Sequence, residues 1–270
     1  MCRFLAYLGE PVFLEDVITK PCHSLIHQSL HASEAKTVTN GDGFGLGWYC
    51  ERATPGLYRE LRPVWSDENL AALCKQVRSH AFFAHIRAAT GTATNRVNCH
   101  PFAHNQHMFM HNGQVGCYDK LKRKLENLIP DHLYVERGGT TDSEIIFLIA
   151  LANGAEKDPL AAMVSTLETI CAVMEDCGVC EPLRFAAAWM DGQKVHAFRW
   201  ASDGKAPTLY WKADNGSLMI ASEPTDSCHE LWHLIPQAHC LIAELNNKPT
   251  TVPMVIGAVC NPVEKELIPT

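Results

Sequence analysis

The chain has 270 residues, a formal net charge of −7 at pH 7 and an isoelectric point near 6.0. This mild acidity, without any block of Lys and Arg, argues against nucleic acid and anionic membrane as partners. No apolar run approaches the ~20 residues of a membrane span. No secretory signal is recognisable, so we expect the twelve cysteines to be mostly reduced thiols in a cytoplasmic protein.

The first predicted element is a short apolar strand over residues 3–8, which ends at Gly9 and places Cys2 at its exposed start. Removal of Met1 would leave Cys2 with both a thiol and a free α-amine. A thiol titrates near ~8.5 and an α-amine near ~8, so the amine can accept the thiol proton. The alternative is that a small residue stands here only because it permits methionine removal.

A short helix is predicted next over residues 11–18. After Pro21, His23, His27 and His31 have a spacing of four residues, which would place them on one face if residues 22–31 form a helix. We interpret this as a solvated or packed histidine face rather than as a metal site.

Alternating glycines at 40–45 predict a loop whose backbone approaches another segment or a ligand, followed by a strand and a hairpin partner at 56–61. The stretch lacks the Lys-Ser/Thr ending of a phosphate loop. Ser66 is predicted to cap a helix over 67–77. A β-rich run at 81–87 then ends on Arg87, whose planar guanidinium suits a carboxylate.

A turn is predicted at 98–102, and a strand at 107–110 that stops at His111-Asn112-Gly113. An amide side chain beside an unhindered backbone N–H is the pair of donors that an oxyanion needs. The alternative is an ordinary hairpin turn, because Asn-Gly is a common turn signal.

The remaining chain predicts a helix at 118–128, a helix opened by 140–144 that runs through 152, and a helix at 159–174. It also predicts strands at 183–190, 194–200, 209–212, 218–221 and 239–245. Thr141 or Asp142 could cap the second of these helices, and Asp142 could instead face a ligand ammonium group. Several hairpins with a few helices favour layered antiparallel sheets with helices outside, an α+β fold in one domain over residues 1–270.

Two further motifs have a spacing that is typical of metal sites. His229-Glu230-Leu231-Trp232-His233 matches H-E-x-x-H, which binds zinc when it lies on a helix. Pro224 and Pro236 bracket it and leave little room for that helix, so a zinc protein using His229 and His233 is the least favoured alternative. Cys177 and Cys180 have C-x-x-C spacing without a second pair, which favours two thiols in a helix-ending turn.

Six motifs occur in one order: Met1-Cys2-Arg3-Phe4, Asn40-Gly41-Asp42-Gly43-Phe44-Gly45, His85-Ile86-Arg87-Ala88-Ala89-Thr90, Asn98-Cys99-His100-Pro101-Phe102, His111-Asn112-Gly113 and Thr141-Asp142-Ser143-Glu144. The ordered set resembles the class II glutamine amidotransferases, which are N-terminal nucleophile hydrolases. Ala221-Ser222-Glu223-Pro224 resembles a later segment of the stand-alone members. Within the family the chain is most similar to the single-domain γ-glutamyl hydrolases of ergothioneine synthesis and glutathione degradation.

The resemblance implies a four-layer αββα sandwich and a reaction without metal or cofactor. Cys2 would attack the γ-carbonyl of a γ-glutamyl amide, and water would then release glutamate from the thioester. Asn112 and the N–H of Gly113 would stabilise the oxyanion. Arg87 would bind the substrate α-carboxylate and Asp142 its α-ammonium.

The resemblance also implies that Thr90 and His111 contact the substrate. Many members that feed ammonia to a synthase follow the equivalent of Thr90 with His-Gly, whereas this chain has Gly91. The small-molecule γ-glutamyl substrate is therefore the expected partner. The second hypothesis is a glutaminase subunit that works with a separate synthase or peptidase subunit.

Overall fold

Two antiparallel β-sheets form the centre of the fold. The computed structural model describes residues 2–30, 40–88, 94–214 and 216–257. Within these ranges the strands are β1 (Arg3–Phe13), β2 (Phe44–Tyr49), β3 (Gly56–Glu60), β4 (Arg78–Ile86), β5 (Phe102–His104), β6 (His107–Gln114), β7 (Arg184–Met190), β8 (Lys194–Ala201), β9 (Tyr210–Asp214), β10 (Ser217–Ala221), β11 (His233–Leu234), β12 (His239–Glu244) and β13 (Thr250–Pro253).

The described helices flank these sheets. They are α1 (Leu14–Ile18), α2 (Leu25–Leu30), α3 (Glu68–Gln76), α4 (Tyr118–Glu126), α5 (Asp131–Tyr134), α6 (Asp142–Ala152) and α7 (Pro159–Asp176), with 3₁₀ turns at Val64–Ser66, Arg96–Asn98 and His229–Leu231. No helix in these ranges is both long and apolar enough to cross a membrane.

The strand that begins at Arg3 lies near the middle of the first sheet. That sheet has the order β11-β9-β10-β1-β4-β2-β3, and the second has the order β13-β12-β8-β7-β6-β5. β1 therefore pairs with β10 on one side and β4 on the other. A central strand is held by ladders of hydrogen bonds along both edges, so the residue that precedes Arg3 starts from a rigid support.

Three apolar layers show how the sheets and helices stack. Phe4, Ala6 and Leu8 of β1 pack with Met108 and Met110 of β6, so the two sheets meet face to face. The other face of the first sheet packs on α1 to α3 and that of the second on α4 to α7. Because alternate residues of a strand face opposite sides of a sheet, this arrangement is a four-layer αββα sandwich. The predicted fold class is confirmed.

The first strand is longer than predicted. β1 does not end at Gly9 but continues to Phe13, with a register shift against β4 between Leu8 and Val12. The predicted start of a helix at residue 11 is therefore wrong, and α1 begins at Leu14. Pro11 is exposed within the irregular part of the strand, where a missing N–H is tolerated.

Two local predictions are wrong for identifiable reasons. Asp67, not Ser66, caps α3: its carboxylate accepts from the N–H of Leu70 at 2.7 Å, while the Ser66 hydroxyl donates to the Pro63 carbonyl at 2.8 Å. The strand predicted to stop at His111-Asn112-Gly113 instead continues through these residues to Gln114 and pairs with β7, which excludes the alternative of a hairpin turn there.

The helix required by the zinc alternative does not form. His229 lies in a 3₁₀ turn, whereas His233 lies on β11 with its ring 4.9 Å from that of Trp211. Of the predicted histidine face, His23 lies before α2, which begins at Leu25, yet its ring lies 5.3 Å from that of His27. His31 lies outside the described residues, so its part of the prediction stays untested. Cys177 caps the end of α7, which agrees with the helix-ending turn.

Candidate active site

A cleft of about 380 Å³ opens where β1 begins, beside the end of β6 and the start of α6. Its lining combines charged, amide, imidazole and thiol groups. They belong to Cys2, Arg87, Ala88, Asn98, His100, His111, Gly113, Gln114, Val115, Cys117, Tyr118, Asp119, Lys120, Thr141, Asp142, Ser143 and Glu181. Five of the site residues predicted from the sequence, Cys2, Arg87, His111, Gly113 and Asp142, thus share one cavity.

Cys2 is half-buried at this cleft. Its Sγ accepts a hydrogen bond from the backbone N–H of Ala88 at 3.3 Å. Burial raises the pKa of the Cys2 thiol above its ordinary value, and the Ala88 N–H and the Arg87 charge oppose that rise. The thiol therefore needs a nearby proton acceptor to form the reactive thiolate.

Arg87 lies across from Cys2. The last paired residues of β1 and β4 are Arg3 and Ile86, so Cys2 and Arg87 are the next residues along the two neighbouring strands. The Arg87 side chain is buried, and one terminal nitrogen donates to the Asp42 carbonyl at 3.4 Å. The guanidinium is thus presented to the cleft from a fixed position.

The glycine-rich stretch holds Arg87 in place. The N–H of Arg87 donates to the Gly43 carbonyl at 2.8 Å, and the N–H of Asp42 donates to the Arg87 carbonyl at 3.2 Å. Gly43 has a φ of +110°, and a Cβ there would lie 2.8 Å from both Cys99 Sγ and the Glu60 carbonyl oxygen. Only glycine fits this conformation and space, as the predicted close backbone approach requires.

Asn112 and Gly113 are fixed inside β6. The Asn112 side chain is buried, and within the described part of the chain its Nδ2 has no hydrogen-bond partner. Asn112 does not itself line the cleft, but the residues on both sides of it do. A Cβ on Gly113 would lie 1.9 Å from the Arg184 carbonyl oxygen. The second sheet thus holds an amide donor at Asn112 beside a position where only glycine fits.

Asp142 is the first residue of α6 and lines the cleft. Its Oδ2 accepts from the N–H of Val115 at 2.9 Å, and its Oδ1 accepts from the N–H of Ser143 at 2.8 Å. The helix cap is Thr141, whose hydroxyl accepts from the N–H of Glu144 at 3.2 Å. Thr141 therefore serves as the cap and Asp142 faces the cleft, where a carboxylate can accept hydrogen bonds from a cation.

Of the two further residues predicted to contact the substrate, the structure describes His111 but not Thr90. His111 lines the cleft, and its Nδ1 lies 2.9 Å from the Ser143 hydroxyl oxygen. Burial lowers the pKa of His111, which favours the neutral form of its ring. Thr90 lies outside the described residues, as does Gly91, and the prediction for Thr90 stays untested.

A buried ion pair anchors the residue next to Cys2. A terminal nitrogen of Arg3 lies 3.0 Å from Glu223 Oε1, and both side chains are only 1% exposed. Glu223 Oε2 also lies 3.2 Å from His23 Nε2. Ser222 brackets Phe4: its N–H donates to the Phe4 carbonyl and its hydroxyl oxygen accepts from the Phe4 N–H, both at 3.1 Å.

This anchoring was missed by the sequence analysis. The Ser222-Glu223 segment was noted only for its resemblance to other chains. An Arg at position 3 gives no sign from sequence that its partner lies more than two hundred residues away. Asn98 was also missed: it accepts from the N–H of Thr140 at 2.8 Å and donates to its hydroxyl oxygen at 3.2 Å, which fixes the loop before Asp142.

The family comparison bears directly on this cleft. Residues 1–203 match the family model described as glutamine amidotransferases class-II. The chain belongs to this family. The matched region contains Cys2, Arg87, Asn112, Gly113 and Asp142, so the cleft described above lies within the amidotransferase domain.

Two named proteins are similar in sequence to this amidotransferase. It is 27% identical over 244 residues to the γ-glutamyl-hercynylcysteine sulfoxide hydrolase of Mycolicibacterium smegmatis, covering 88% of this chain and 94% of that protein. It is 38% identical over 160 residues to the "probable glutamine amidotransferase DUG3" of Saccharomyces cerevisiae, covering 56% of this chain. The chain thus spans 45% of the length of the yeast protein.

Solved structures agree with the fold of this amidotransferase. A class-II domain protein from Silicibacter pomeroyi is 34% identical, with a TM-score of 0.75 over 94% of this chain and 100% of that one. The Bacillus subtilis glutamine phosphoribosylpyrophosphate amidotransferase is 12% identical, with a TM-score of 0.62 over 95% of this chain and 50% of that one. The second likeness concerns the fold alone.

Proposed function

We propose that this amidotransferase hydrolyses a γ-glutamyl amide bond and releases glutamate through a thioester on Cys2. The observation that carries the proposal is the convergence of Cys2, Arg87, Gly113 and Asp142 on one cleft of about 380 Å³. A γ-glutamyl group has an α-carboxylate, an α-ammonium and a γ-carbonyl. The cleft offers a cation, an anion, and a thiol beside backbone and amide donors.

The charged groups match the amino-acid end of the substrate. The buried Arg87 guanidinium can pair with the α-carboxylate through two parallel hydrogen bonds. The Asp142 carboxylate, held by the N–H groups of Val115 and Ser143, can accept from the α-ammonium. Both groups are held by hydrogen bonds to the backbone, so binding needs little rearrangement of these side chains.

In the chemical step, Cys2 provides both the nucleophile, its sulfur, and the base, its α-amine. Met1 is removed, and the freed α-amine takes the proton of the Cys2 thiol, which offsets the effect of burial on the thiol pKa. The sulfur attacks the γ-carbonyl carbon, and Asn112 Nδ2 and the Gly113 N–H donate to the oxyanion. The C–N bond breaks as the α-ammonium returns its proton to the leaving nitrogen. Water then hydrolyses the thioester.

The names of the relatives support a γ-glutamyl hydrolase. The mycobacterial match extends over most of both chains, and that protein is named as a γ-glutamyl hydrolase.

We also propose a cytoplasmic location, because the eleven cysteines in the described ranges are all free of disulfides.

Glutamate release is the direct test. The purified chain, with Met1 removal verified by intact mass, is incubated with glutamine and with several γ-glutamyl peptides. We expect glutamate from at least one peptide at a rate that needs no second protein. A processed chain that releases none contradicts the proposal. Glutaminase activity that rises only when a synthase is added would instead support an ammonia-supplying subunit.

Asn112→Ala should slow the reaction without preventing binding. Loss of one oxyanion donor raises the barrier by ~2.7–4 kcal/mol, so we expect kcat to fall about 10²–10³-fold with KM nearly unchanged. Steady-state kinetics on the best γ-glutamyl substrate measure both quantities. Asn69→Ala, at an exposed position of α3, is the matched control and should keep wild-type kcat. Equal rates for wild type and Asn112→Ala would remove Asn112 from the mechanism.

A further inference from the structure

His100 is a buried imidazole in the cleft for which the proposed reaction has so far given no role. Its side chain is 4% exposed, and it lines the same cavity as Cys2 and Arg87. The ring is held by packing: its centroid lies 4.2 Å from that of His85 and 4.7 Å from that of Phe102. The backbone is equally fixed, because a Cβ on Gly45 would lie 2.0 Å from the His100 carbonyl oxygen.

Neither nitrogen of the His100 ring has a hydrogen-bond partner among residues 2–30, 40–88, 94–214 and 216–257. Buried polar atoms in native proteins are nearly always paired, so an unpaired one at a cleft calls for a ligand. Burial and the neighbouring His85, His111 and Arg87 hold the pKa of His100 well below its usual range. The neutral ring therefore has one N–H donor and one acceptor nitrogen.

The remaining polar groups of the cleft indicate which part of the substrate His100 meets. Arg87 and Asp142 match the two charges at the amino-acid end, and the Asn112 and Gly113 donors match the γ-oxygen. Asn98 is occupied, since both polar atoms of its side chain bond to Thr140. The His111 ring is directed at other protein groups, with Nδ1 2.9 Å from the Ser143 hydroxyl oxygen and the other side of the ring at the Arg184 backbone. The polar group of a γ-glutamyl amide without a counterpart is the nitrogen of the scissile bond.

We infer that His100 is a substrate contact whose imidazole accepts a hydrogen bond from the N–H of the scissile amide and selects amides over esters. This inference rests on the proposed function. The hydrogen bond orients the departing nitrogen so that its lone pair faces the Cys2 α-ammonium, which supplies the proton when the C–N bond breaks. His100 itself neither gains nor loses a proton in this step.

A matched pair of substrates tests the contact. The γ-methylamide of glutamate has the scissile N–H, whereas its γ-methyl ester has nearly the same size and an oxygen in place of N–H. His100→Phe keeps an aromatic ring for packing on His85 and removes both nitrogens. We expect kcat/KM, which reports formation of the thioester, to fall about tenfold on the amide. The value on the ester should stay within about threefold of wild type, because no hydrogen bond to an N–H is lost there.

Two further variants separate a specific contact from a general disturbance. His100→Gln offers a carbonyl oxygen as acceptor and should restore part of the preference for the amide. His196→Phe removes another buried histidine, whose ring packs 6.2 Å from that of Phe198, and should leave the amide-to-ester ratio unchanged.

The outcomes are distinct. Equal losses on amide and ester for both His100 variants, or no loss on either, would overturn the contact while leaving the proposed hydrolysis intact. A wild-type chain that releases glutamate from neither compound and from no γ-glutamyl peptide would overturn the hydrolysis and the contact together. Release from peptides but not from the methylamide would overturn the contact alone, because an N–H contact is then not sufficient for recognition.

Discussion

Changing Cys2 to Ala is expected to abolish glutamate release and leave the fold intact. The side chain is small and half-buried, so its loss removes little packing. Without sulfur no thioester can form, and the hydrogen bond from the Ala88 N–H loses its acceptor. Turnover of the best γ-glutamyl substrate and the thermal midpoint are measured on the same preparation.

Labelling with a glutamine-analogue electrophile gives a second reading of this variant. Intact-mass analysis before and after exposure reports whether Met1 is absent and whether one thiol is modified. We expect a single label on wild type and none on Cys2→Ala. Cys50→Ala, which removes an exposed thiol, should behave as wild type. Substantial turnover by Cys2→Ala would rule out Cys2 as the nucleophile.

Glu223→Ala should be strongly destabilising. The change leaves the Arg3 guanidinium, 1% exposed and 3.0 Å from the lost carboxylate, without its buried counter-charge. Removing one partner of a buried ion pair typically costs about 3–5 kcal/mol, so the free energy of unfolding should fall by that amount. Because Arg3 adjoins Cys2, activity per folded molecule should fall as well. Urea unfolding and active-site titration with the electrophile measure the two effects.

Two comparisons identify the cause of that destabilisation. Asp16→Ala breaks the exposed pair with Lys20 and should leave the urea midpoint nearly unchanged, because water screens surface pairs. Arg3→Met combined with Glu223→Met removes both buried charges and should recover much of the lost stability. If the double variant is no more stable than Glu223→Ala, the uncompensated charge is not the cause.

The alternation of apolar residues and the turn signals determined most of the secondary structure. The β2–β3 hairpin, β4, α6 and α7 lie close to their predicted ranges, because their hydrophobic periods are clear and short-range. The wrong predictions of element boundaries occur where a local sequence signal is compatible with two structures. Asn112-Gly113 is a strong turn signal, yet pairing with β7 keeps it extended, and long-range pairing outweighs local preference.

The sequence by itself determined the order of the family motifs from Cys2 to Asp142, and these motifs predict a thiol nucleophile, an oxyanion donor pair and two charged substrate contacts. Only the tertiary structure decided how they are held. Asp42 and Gly43 bond to Arg87, Glu223 pairs with Arg3, and His100 stacks on His85. Each of these contacts joins different elements of the chain. Local propensity and spacing carry no information about such partners. Strand pairing within the first sheet sets the contacts of Arg87 and Arg3, and packing of the segment before β5 against β4 sets that of His100.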